Sequence, residues 1–191
     1  MMFTLRPAEE TDAEAVARVH VDSWRWAYRD TLPPSSLASL SVERRRTQTS
    51  DMLRSGKGRI LLANDAGGGV LGFCSFGPAR DLPLPWSEIY ALYLVEFAVG
   101  HGIGRALVET SVNALRASGF SRAALWVLEG NTRGRRFYER LGWRNDEVRR
   151  SGHIGGAATE EIRYSYDFGD PAGFGVPASA SARGLPSGHE P

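Results

Sequence analysis

Residues 88–115 read EIYALYLVEFAVGHGIGRALVETSVNAL, and the fold of the whole chain turns on this stretch. Glu88 to Val95 is short, apolar and aromatic, the composition of a buried strand. Gly100, Gly102 and Gly104 follow at alternate positions, with His101 and Ile103 between them. From Ile103 onward, Ile103, Leu107, Ala114 and Leu115 fall near one face of a helix. Strand, glycine-rich turn and amphipathic helix therefore succeed one another without a break. Such a turn lets backbone N–H groups converge on a ligand, and the helix N-terminus adds about half a positive charge. The arrangement suits a phosphate or pyrophosphate.

Upstream of this unit, Phe3 to Arg6 is a short strand. Thr11, with Glu14 three positions on, is expected to cap a helix from Asp12 to Arg29, which Pro33-Pro34 stops. Ser35 to Leu40 is helical, and Ser41 caps a further helix from Val42 to Leu53. Arg44, Arg45 and Arg46 on that helix read as a solvated face. Arg59–Asn64 and Val70–Phe76 form a hairpin around the sequence Asp-Ala-Gly-Gly-Gly, with Cys74 as a small core residue. Downstream, Gly119 ends the central helix and Arg122–Leu128 is a buried strand. Asn131 to Leu141 is a short helix closed by Gly142; Trp143–Arg150 and Glu160–Phe168 are final strands with a loop between them. The sum is one mixed α/β domain over residues 1–168, with about seven strands in a mostly antiparallel sheet and one βαβ crossover in its middle. Residues 169–191, rich in Gly, Pro, Ala and Ser, read as a disordered tail.

A net charge of +1 gives no bulk attraction to nucleic acid or an anionic membrane, so neither is expected as a partner. No run reaches the roughly 18 apolar residues that span a bilayer, and the N-terminus lacks the apolar core of a signal peptide. A cytoplasmic protein is the expectation. Cys74 is the only cysteine, which excludes an internal disulfide and a CxxC zinc site; no metal is expected.

Three spaced signatures, AlaLeuTyrLeu (91–94), ValGlyHisGlyIleGlyArgAlaLeu (99–107), and Asn131 with ArgPheTyrGluArgLeuGlyTrp (136–143), resemble the GNAT superfamily of N-acetyltransferases. The resemblance runs from about Phe3 to Phe168 in matching element order, and implies helices on both faces of the sheet. It implies that acetyl-CoA is the co-substrate. The turn amides of Val99, Gly100, His101, Gly102, Ile103, Gly104 and Arg105 would hold its pyrophosphate. The strand Leu92–Tyr93–Leu94 would pair with pantetheine, one N–H serving as oxyanion donor. Asn131 would contact the cofactor, and Tyr138, near the sulfur, would protonate the departing thiolate. The chain departs from the family at Val99, which stands where Arg or Gln is usual; weaker cofactor affinity is expected, with Arg105, Arg133 or Arg135 as compensation.

An attacking amine must lose a proton, and Glu88 at the start of the central strand is the first choice of base, ahead of Glu96, Asp81, His153 or water. His20 and His101 are expected to be exposed. The acceptor, a small-molecule or peptide amine, should meet Trp24, Tyr28 and His153 by position, with Trp26 and Arg29 nearby. Exposed sheet edges leave room for a homodimer. Two other readings compete. A non-catalytic acyl-CoA-binding or regulatory module would bind CoA without turnover. A dinucleotide-binding oxidoreductase would use Gly100-x-Gly102-x-Gly104, but Arg105 stands where its third glycine is required.

Overall fold

The computed structural model describes residues 1–154 and 156–169; the expected tail, beyond Gly169, lies outside the described residues. Seven strands form one sheet: β1 (Thr4–Pro7), β2 (Arg59–Asn64), β3 (Val70–Pro78), β4 (Trp86–Leu94), β5 (Arg122–Leu128), β6 (Arg144–Ile154) and β7 (Ala157–Asp167). Their spatial order is β1-β2-β3-β4-β5-β7-β6. Every neighbouring pair is antiparallel except β4 and β5, which the helix α4 (Ile103–Ala117) connects. The remaining helices are α1 (Ala13–Ala27), α2 (Pro34–Ala38), α3 (Val42–Ser55) and α5 (Thr132–Arg140).

Alternation along β2 and β3 divides the core between two faces. Leu61, Cys74 and Phe76 pack with Ile103, Leu107, Val108, Val112 and Leu115 of α4, and α5 adds Phe137 and Tyr138 to the same layer. Ile60, Leu62 and Phe73 point the other way, toward Val16 and Val19 of α1 and Met52 and Leu53 of α3. Each large apolar side chain buried in this way contributes about 1.5–3 kcal/mol. A third cluster, Tyr28, Leu32, Leu37 and Leu128, closes the α1 side near the end of β5. No helix among the described residues is long and apolar enough to cross a membrane.

Three local expectations need correction. The first helix begins at Ala13, after a one-turn 3-10 segment (Glu10–Asp12), and the capping box joins Glu9 to Asp12 instead of Thr11 to Glu14. Arg6 on β1, outside the helix, binds the Asp12 carboxylate at 2.7 Å and holds the cap there. The last hairpin is longer than expected: Ser151 pairs with Glu160 and His153 with Ala158, so His153 sits on β6 and not in a loop. His20 is buried, not exposed, with its ring against Trp24, Phe73 and Tyr93. It continues the i, i+4 stripe from Val16, which faces the sheet.

Candidate active site

The parallel pairing of β4 with β5 runs only from Trp86↔Arg122 to Ile89↔Leu125. At that point the β3–β4 register steps from Phe76↔Ile89 to Ser75↔Ala91, leaving Tyr90 as the extra residue of a bulge. A bulge bends its strand, and from here β4 and β5 part. Among the described residues, Tyr90 to Leu94 have no strand partner on the β5 side, while Trp126 to Leu128 pair with β7 alone. Val95 N–H donates to Leu71 O on β3 at 2.9 Å. By alternation the N–H groups of Leu92 and Leu94 face the gap. The Leu94 carbonyl already accepts the Ser23 hydroxyl at 2.6 Å. Between the parted strands lies a cavity of about 70 Å³, lined by both strands and by Trp24, Tyr28, Asn131, Tyr138 and Glu161.

The glycine turn sits at the C-terminal end of β4. Gly100 and Gly102 have φ of +89° and +82°, the left-handed region that favours glycine. Among the described residues, none of the six successive N–H groups from Gly100 to Arg105 has an acceptor; the first bonded amide is Ala106, to Gly102 O at 3.1 Å. A helix start ordinarily leaves four such donors, so the turn extends that array by two. Val99 does not belong to it, because its N–H donates to Glu96 O at 3.2 Å. The arginines expected to compensate for Val99 are engaged elsewhere. Arg105 pairs with Glu109 at 2.6 Å, Arg135 donates to Tyr164 Oη at 3.2 Å, and Arg133 lies over the Trp26 ring. That contact also places Trp26 away from the cleft lining.

Across the gap, Asn131 is the N-cap of α5. Its Oδ1 accepts Gly134 N–H at 2.8 Å, and its Nδ2 donates to Tyr28 Oη at 3.1 Å, which ties α5 to the end of α1. Burial pushes the Tyr28 phenol up to about 12. Tyr138, two turns further along α5, packs edge-on against Phe137 and Trp143. Burial, reinforced by the neighbouring Cys74 and Tyr28, holds its phenol far above the usual range, so the hydroxyl keeps its hydrogen. Among the described residues its hydroxyl has no hydrogen-bond partner. Tyr138, Asn131, Tyr28, Trp24, Leu92 and Tyr93 thus meet at one cavity.

Glu88 does not join them. Its carboxylate is buried and held by Arg80 through the backbone N–H at 3.2 Å, Nε at 3.1 Å and Nη2. Both its oxygens are taken up by Arg80, and the side chain is not among those that line the cavity. The carboxylate that does line the cavity is Glu161 on β7. Arg150 Nε donates to its Oε2 at 2.6 Å, and the Arg150 guanidinium stacks 4.2 Å over the Trp126 ring. Its position was open to reading: in EEIRYSY, alternation sets Glu161 opposite the buried Ile162 and Tyr164. Asp81 approaches the same Arg150 at 3.5 Å, while Glu96 is exposed in the one-turn 3-10 segment after β4. His153 lines a second pocket, separated from the cavity by Trp24, which borders both.

Residues 18–143 match the Acetyltransferase (GNAT) family. The chain is 40% identical over 131 residues to the uncharacterized N-acetyltransferase YuaI of Bacillus subtilis (strain 168), covering 68% of this chain and 74% of the relative. Among solved structures, it resembles the PaiA N-acetyltransferase of Thermoplasma acidophilum in complex with coenzyme A. There the TM-score is 0.69 and the identity 19%, over 87% of this chain and all (100%) of that one. It resembles equally the Salmonella typhimurium YncA protein with acetyl-CoA, at a TM-score of 0.68 and 17% identity, over 94% of this chain and 100% of that one.

Proposed function

Since the chain belongs to the GNAT acetyltransferase family, we propose that it transfers the acetyl group of acetyl-CoA to a primary amine, by direct attack in a ternary complex. The observation that carries this reading is the run of six unpartnered amides at the mouth of the gap between β4 and β5. A pyrophosphate offers the acceptors those amides lack, and an extended thiol arm offers β4 the partner that β5 withdraws. Two structural neighbours, at low identity, hold coenzyme A or acetyl-CoA.

Acetyl-CoA supplies an acyl group activated as a thioester. The chain's own residues do the rest. Gly100 to Arg105 bind the phosphates through their backbone. Leu92 or Leu94 N–H polarises the thioester carbonyl as charge develops on its oxygen. Glu161 accepts the proton that the amine loses on attack, through the carboxylate oxygen that Arg150 leaves free. Tyr138 gives its proton to the sulfur as the C–S bond breaks, and regains one from solvent.

Calorimetric titration of acetyl-CoA into the full chain, beside NADH and NADPH, tests the reading. Selective binding of acetyl-CoA, followed by thiol release with amine acceptors, is expected. Binding of the nicotinamides instead, or of none of the three, would overturn it.

A further inference from the structure

The second pocket, about 250 Å³, lies between α1, the segment leading into α3 and the end of β6. Its wall holds two arginines (Arg44 and Arg45), two histidines (His20 and His153) and no carboxylate. Arg45 is half-buried. Two other arginines of α3 have counter-charges, Arg46 with Glu43 and Arg54 with Asp51 at 2.8 Å, while Arg44, which is exposed, has water around it. Among the described residues, no carboxylate lies within ion-pair distance of Arg45, and burial lowers its pKa with only the Tyr93 phenol acting against that. A guanidinium drawn from water without a counter-ion is costly, and its planar fork matches the oxygens of a carboxylate or phosphate.

His20 supplies a second, independent sign. It is 7% exposed and lines the same pocket, and its Nε2 is buried without a hydrogen-bond partner. Buried polar groups are ordinarily paired. Burial and the charge of Arg45 hold the imidazole neutral, at about 3, so Nε2 can carry a hydrogen and donate it. The pocket adjoins the cleft, since Trp24 borders both and the His20 ring lies 4.5 Å from that of Tyr93 on β4.

We infer that the acceptor amine carries an anionic group, a carboxylate or a phosphate, which Arg45 and His20 hold in this pocket while the amine faces the cleft. The inference rests on the acetyl-transfer reading and narrows its substrate class.

Reaction products test it without turnover. N-acetyl α-amino acids, their primary amides, and N-acetylated aminoalkyl phosphates are titrated into the full chain, followed by tryptophan fluorescence. At least one anionic series should bind about tenfold or more tighter than the amides, and the series that does so identifies the group. The preference should collapse in Arg45→Gln with acetyl-CoA affinity unchanged. Should that variant not fold, Arg45→Lys, which keeps the charge and loses the fork, must still reduce the preference several-fold. Equal binding of acids, phosphates and amides, a preference indifferent to Arg45, or no binding of any series would each overturn the inference. Intact acetyl-CoA binding beside such a result would leave the acetyl-transfer reading standing; its loss in the wild type would remove both.

Discussion

Burial drives Tyr138 and His20 in opposite directions on the pH scale, each toward its uncharged form. On the proposed function, the consequence for Tyr138 is catalytic. Tyr138→Phe removes the one phenol that faces the cleft from α5, and kcat should fall by about 10²-fold, the lower end for a general acid. Acetyl-CoA affinity, which the proposal assigns to the backbone of the turn, should hold; an unchanged rate of thiol release would exclude Tyr138 as acid. For His20 the consequence is stability. Its native value near 3 lies below the ordinary 6.5, so between these the unfolded chain takes up a proton that the native chain refuses. Native stability is therefore lost as pH falls from about 6.5 toward 3, by up to about 1.4 kcal/mol per unit. Between pH 7 and 5 the loss should be about 2 kcal/mol, measured by urea unfolding, and His20→Gln should abolish most of it.

At the level of elements, the strand–turn–helix unit is the most exacting piece. Gly102 is the N-cap of α4 in a left-handed conformation, where a Cβ would meet no neighbour within 4 Å. Gly102→Ala should therefore cost only the backbone penalty, about 1–2 kcal/mol. Acetyl-CoA affinity should fall more than stability does, because the turn must relax; calorimetry beside thermal unfolding separates the two. Elements of this kind were legible in the sequence because their causes are local. The glycine turn, the Ser41 cap, which accepts Arg44 N–H at 3.2 Å, and the Asn131 cap all lie within a few residues of the groups they satisfy. What the sequence hid depends on distant partners. The Tyr90 bulge is a matter of register with β3, and the Arg80 grip that removes Glu88 from the cleft comes from across a loop. The half-buried Arg45 could be told from the paired Arg46 and Arg54 only once the carboxylates around α3 had been placed.

The whole molecule is two half-sheets, β1-β2-β3-β4 and β5-β7-β6, joined through four residue pairs between β4 and β5. Beyond those pairs the seam is open, and on the proposed function acetyl-CoA fills it. A ligand that binds only the folded chain stabilises it by about 2.7 kcal/mol at a hundredfold excess over Kd. Acetyl-CoA should accordingly raise the melting temperature by several degrees, and CoA, which shares the phosphates and the thiol arm, should do nearly as much. Hydrogen exchange would locate the effect: the Leu92 and Leu94 amides and those of residues 100–105 should slow most. The seam then has a meaning for the protein's lifetime. Proteases act on chains that have opened, so a molecule completed by its own co-substrate should persist where acyl-CoA is plentiful and be cleared where it is scarce, its abundance following metabolic supply without any separate sensor.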